Sequence, residues 1–165
     1  MALTTAISVA ISASYSLALD LVTKNASLVK TYPLSLDTGT GLSQADVIFS
    51  DTRTTAGTDS LDLAGGGLLD NLGNVFAPAR VKAIIVFAAA ANPANVLLRR
   101  PAAATGVPFM TAAGDEIPIH PGGMVIVWAP SAAGYVVTAG TGDVIEVAAA
   151  SGTVTYDIII IGASA

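Results

Sequence analysis

The chain has 165 residues, 53% hydrophobic, 12% charged and 5% aromatic, with seven Lys and Arg against twelve Asp and Glu for a formal charge of −5. A chain this apolar and this poor in charge is not disordered, and its length fits one domain with room for an appended arm. The acidic balance leaves no electrostatic footprint for nucleic acid, and zero cysteines exclude disulfides and thiolate chemistry.

Val, Ile and Thr number 45, whereas Glu, Lys, Arg and Gln, which solvate the outer faces of helices, total 10. That ratio predicts strands rather than amphipathic helices. The alanines gather in short runs at 88–91, 102–104 and 148–150 beside Pro93, Pro101 and Gly152, and read as strand ends and loops with at most a single helical turn. No apolar run approaches the roughly 18 residues of a membrane-spanning helix.

In chain order, Ile7, Val9 and Ile11 alternate with Ser8 and Ala10, and Tyr15, Leu17, Leu19 and Leu21 alternate with Ser16, Ala18 and Asp20. Both predict half-buried strands. Lys24 is the first basic side chain, so this opening segment lacks the charged start of a signal peptide and reads as mature protein. Residues 28–36 predict an edge strand because Pro33 interrupts them. The stretch DTGTG at 37–41 has the composition of a short flexible joint. The expected organisation is therefore an N-terminal arm or strand pair over 1–40 and a β-sandwich body over 41–165.

Val47 and Phe49 open a strand that runs into polar residues 50–55, and Leu61 and Leu63 alternate up to Gly65, Gly66 and Gly67. Residues 80–87 predict a Val- and Ile-rich strand with Lys82 on one face, and 122–128 a strand covered on both sides. Residues 135–138, 144–147 and 154–161 follow at spacings of about ten residues, with Gly or Pro turns between them. This pattern belongs to an all-β sandwich or barrel.

Chemistry-bearing groups are few. His120, the single histidine, stands between Ile119 and Pro121 and reads as a turn residue, and no G-x-S-x-G elbow presents a serine to it. Asp115 and Glu116 are adjacent and point to opposite faces of an extended chain, which suits a solvated loop better than a cation site. Asp143 and Glu146 read the same way. Gly65, Gly66 and Gly67 precede two leucines rather than the Lys and Ser or Thr of a phosphate loop, and read as a turn. Trp128, Tyr135 and Tyr156 lie in apolar alternation and read as core. No catalytic, cofactor-binding or metal-binding residue is expected, and no cofactor.

The segments DTRTTAGTDSLDLAGGGLLDNLGNVFAPARVKAIIV, IPIHPGGMVIVWAPSAAGYVVTAGTGDVIEV and TVTYDIIIIG, within residues 50–162, resemble the jelly-roll capsid cement (decoration) proteins of tailed bacteriophages, that of a Bordetella phage among them. Residues 1–40 carry no part of this resemblance. It implies a jelly-roll or related antiparallel β-sandwich, no enzymatic activity, and a homo-dimer or trimer bound to major capsid protein on the outside of the virion after synthesis in the host cytoplasm. It implies neither nucleic acid nor membrane as a partner. A receptor- or glycan-binding module of a phage tail or fibre is the alternative, since such proteins share the fold. The apolar surplus of the composition fits surface buried between subunits.

Overall fold

A computed structural model describes residues 2–103 and 105–165. Met1, which opens the 1–40 segment, and Ala104, which ends one alanine run, lie outside the described residues. The described chain is all-β and has no helix. Its strands are β1 (Thr5–Ala18), β2 (Thr23–Thr38), β3 (Gln44–Ala45), β4 (Val47–Thr55), β5 (Thr58–Asp62), β6 (Arg80–Ala88), β7 (Val96–Arg99), β8 (Glu116–Ile119), β9 (Met124–Trp128), β10 (Tyr135–Val136), β11 (Val144–Ala149) and β12 (Val154–Ala163).

Two antiparallel sheets enclose one core. The first runs β10-β6-β12-β4, with β9 also pairing β6, and the second runs β5-β11-β7-β8. Period-two alternation fills the space between them: Ile84, Val86, Tyr156, Ile158 and Ile160 point inward from the first sheet, and Leu61, Val96, Leu98, Ile145 and Val147 from the second. Phe76 comes from the β5–β6 connection and packs its ring 5.7 Å from that of Phe49. That connection turns where expected, with Gly66 at a positive φ of 74° and Asp62 Oδ1 accepting hydrogen bonds from the amides of Ala64 and Gly65.

Several sequence expectations are corrected. The alternations at 7–11 and 15–21 form one continuous strand rather than two, and residues 19–22 are the turn into β2. Thr5, Ile7 and Val9 are partly buried in alternation, as expected, but every residue from 10 to 33 is exposed, so the strand is half-buried only at its start. Pro33 sits opposite Ser8, in a strand whose other edge is free there. The strand predicted at 122–128 begins at Met124 and is half-covered, with Met124 itself exposed. β7 and β8 were not foreseen; each is four residues long, and Pro118 within β8 masks its alternation.

Register explains one irregularity. β12 pairs Ile161 with Ala83 and then Gly162 with Val81, so Lys82 is the extra residue of a β-bulge. The bulge lets Val81 face the main core while Ala83 joins a second, smaller one. Gly162 permits this close approach: a Cβ there would lie 2.6 Å from the Pro78 Cβ and 2.8 Å from the Arg80 carbonyl oxygen. Gly162→Ala is therefore expected to destabilise the fold by about 1–3 kcal/mol in urea denaturation, as overpacked sites do.

Candidate functional site

Residues singled out by sequence fall in scattered places. His120 is exposed just after β8, and its carbonyl accepts the Gly123 amide at 2.7 Å to close the turn. His120→Ala is expected to change stability by less than about 0.5 kcal/mol in a thermal melt, as exposed substitutions do. Asp115 accepts the Ala112 amide at 2.8 Å, and Glu116 pairs across strands with Arg99 at 2.7 Å. Asp143 is corrected from solvated to buried: its carboxylate accepts the Gly140 amide, and Glu146 lies half-buried on β11. Among the described residues no group of three or more His, Cys, Asp or Glu converges as metal ligands.

The sandwich assembles a charged cluster that sequence spacing did not suggest. Arg53 on β4 donates from Nε and Nη2 to the two carboxylate oxygens of Asp59 on β5, at 2.6 and 3.1 Å, and from Nη1 to Asp51 at 3.0 Å. Tyr156 on β12, fully buried, donates its hydroxyl to Asp59 Oδ2 at 2.7 Å. Burial works to raise the Asp59 carboxyl, but the hydrogen bonds from Arg53 and Tyr156 and the Arg53 charge outweigh it and hold the group below the ordinary carboxylate range. Burial, then the bond to Asp59, raises the Tyr156 phenol. With the cation paired in a fork and the phenol committed to the same carboxylate, this cluster fastens one sheet to the other.

Lys82 is the second buried charge. Its ammonium donates to the carbonyls of Gly41 at 3.2 Å, Ala132 at 3.1 Å and Ser131. Burial, then the nearby Arg80 charge, lowers its pKa. These bonds tie the 37–41 segment to the body, as do the Asp37 amide to the Ser43 carbonyl at 2.9 Å and the Gly41 amide to Gln44 at 2.9 Å. The segment expected as a flexible joint is thus a pinned corner.

That corner carries the most unusual surface of the molecule. β1 and β2 pair over fourteen residues as a two-stranded ribbon. Its register places Val9 opposite Tyr32, Ile11 opposite Lys30, Ala13 opposite Leu28, Tyr15 opposite Ala26 and Leu17 opposite Lys24, all on one face. The other face holds Ser8, Ala10, Ser12, Ser14 and Ser16 with Pro33, Thr31, Val29, Ser27 and Asn25 across from them, and is mostly polar. At the tip, Leu19 donates its amide to the Val22 carbonyl at 2.8 Å, and Leu21 is 97% exposed. An amphipathic ribbon without a second layer is marginal in water, and its apolar face lies uncovered in the single chain.

The base of the ribbon shows what such a face packs against. Leu36, Ile7 and Leu3 meet Ile48, Trp128, Ala83 and Ile161 on the outer side of the β10-β6-β12-β4 sheet. Beyond that row the outer side stays apolar on β6 and β9, whereas β4 and β12 present Ser50, Thr52, Thr54, Thr155 and Asp157. Since Ile84, Val86, Val125 and Val127 point into the core, Ile85, Phe87, Met124 and Ile126 point out, with Phe87 39% and Met124 57% exposed. Asp157 lies beside Phe87 in this array and accepts a hydrogen bond from Thr52 at 2.6 Å. No helix of the described residues is long and apolar enough to cross a membrane. No family model, curated protein or solved structure matches the chain.

Proposed function

We propose that this chain is a non-enzymatic structural protein of a phage virion, a jelly-roll cement or decoration protein that binds the outer surface of the capsid as a homo-oligomer and stabilises the shell. The observation that carries the reading is the exposed, one-sided apolar ribbon with Tyr15, Leu17 and Leu21 at its far end. A protein that works by covering neighbours needs contact area on a rigid body, and this ribbon supplies it from a sandwich fastened at Arg53, Asp59 and Tyr156. The resemblance of residues 50–162 to capsid cement proteins supplies the identity of the neighbour, the major capsid protein.

Averaged density of virions from the phage that encodes the chain tests this. The expected result is density for the sandwich on the outer capsid lattice, and shells stripped of the protein that open at lower temperature. Density confined to the tail or its fibres would overturn the capsid assignment in favour of a receptor-binding module.

A further inference from the structure

Two apolar surfaces of this chain are uncovered, and they meet at one corner. The ribbon face from Val9 to Leu17 runs about 27 Å at the usual strand rise. The outer sheet side bears Ile85, Phe87, Met124 and Ile126. At the ribbon base, Ile7 and Leu36 already pack on the first row of that sheet side. Farther out the same ribbon face is exposed at every position from Ile11 to Leu17, so it does not reach its own sheet.

Charge selects the occupant. The ribbon's apolar face includes Lys24 and Lys30, and among the described residues neither is in an ion pair; the Lys30 ammonium rests 5.7 Å from the centre of the Tyr32 ring. Two ribbons packed face to face would bring four lysines into one contact. The outer sheet side offers the opposite sign at Asp157, which has no cation partner among the described residues. Outside the ribbon, residues 37–165 carry eleven acidic side chains against five Lys and Arg, so the surface of a second copy is complementary to the ribbon and a second ribbon is not.

We propose that the ribbon of one copy lies apolar face down across the outer sheet side of a second copy, over Phe87 and Met124, with Lys30 directed to Asp157 and Lys24 over the acidic surface of that copy. The contact is made in exchange, ribbon to sheet, and continues between chains the packing that Ile7 and Leu36 begin within one. It rests on the homo-oligomer reading above and names the surfaces that reading requires.

Sedimentation equilibrium of the full-length protein tests it with wild type, K24D/K30D, D157K and the triple combination, all at exposed positions. Each charge reversal is expected to weaken self-association roughly tenfold, and the triple combination to recover to within about threefold of wild type. A wild-type oligomer indifferent to both reversals, or a triple combination as weak as its parents, overturns the exchange while leaving the homo-oligomer standing. A wild type that stays monomeric at all concentrations, and on virions, overturns the homo-oligomer and the exchange together. Because the chain has no cysteine, L28C and F87C give a second readout with a short bis-maleimide. Linked dimers forming only when the two variants are mixed support ribbon on sheet, and linkage of L28C to itself would place ribbon on ribbon and overturn it.

Discussion

Replacing Asp59 by Ala is expected to destabilise the protein by about 3 kcal/mol, the low end for breaking a buried ion pair, because Arg53 and Asp59 retain some contact with water. The substitution strands two groups at once. Arg53 loses its fork partner and keeps only Asp51 at the exposed end, and the buried Tyr156 hydroxyl loses its acceptor. Tyr156→Phe removes only the second of these and should cost about 1 kcal/mol, the typical net value of one hydrogen bond. The double variant should cost less than the sum, since both substitutions remove the same bond.

The pH dependence has a definite sign. The Asp59 carboxyl is held below its unfolded value, so between the two values the unfolded chain binds the extra proton. The contribution is complete above the unfolded pKa of about 3.9 and is lost as pH falls through the lower folded value. Denaturation of wild type and Asp59→Ala should therefore give a stability gap that is constant from neutral pH down to about pH 5 and narrows below about pH 4. A gap unchanged down to the acid transition would mean that the carboxylate charge does not hold the two sheets together.

This cluster also marks where the sequence stops being legible. β6, β11 and β12 could be read because they are rich in Val and Ile, with Val154, Tyr156, Ile158 and Ile160 at alternate positions of β12, and β4 because Val47 and Phe49 open it ahead of its polar residues. Tyr156 could be read as core for the same reason. Its bond to Asp59 could not, because 97 residues separate the two and only the closure of the sandwich joins them. The bulge at Lys82 is likewise invisible locally, since it is a property of the pairing with Ile161 and Gly162 rather than of β6. At the ribbon, the short side chains Ser12, Ala13 and Ser14 read as a break because they weaken the alternation, whereas pairing with Leu28 and its neighbours carries the strand straight through. Sequence alternation reports that a face is apolar; it does not report whether anything covers it. That is why the ribbon, read as half-buried, is exposed from residue 10 to 33.

Shortening the ribbon separates folding from attachment, and the structure indicates where to cut. Ser8 lies opposite Pro33, and proline has no amide hydrogen to exchange, so that pair is a non-hydrogen-bonded one and the next pair, Val9 with Tyr32, is hydrogen-bonded. A two-residue Asn-Gly turn closes on such a pair. Replacing residues 10–31 by Asn-Gly therefore keeps Leu3, Ile7 and Leu36 on Ile48, Trp128 and Ile161, and removes only side chains that are exposed. The melting temperature is expected to stay within about 4 °C of wild type, the shift that about 1 kcal/mol produces in a domain of this size. Binding to shells, and self-association with it, should fall at least about a hundredfold, because Tyr15, Leu17, Leu21 and Leu28 leave together and two lost anchors of ordinary strength suffice for that. Wild-type binding by the shortened chain would move the attachment surface off the ribbon and onto the sandwich. A shortened chain that no longer folds would instead make residues 10–31 part of the folding unit, although each of them is exposed to solvent in the single chain.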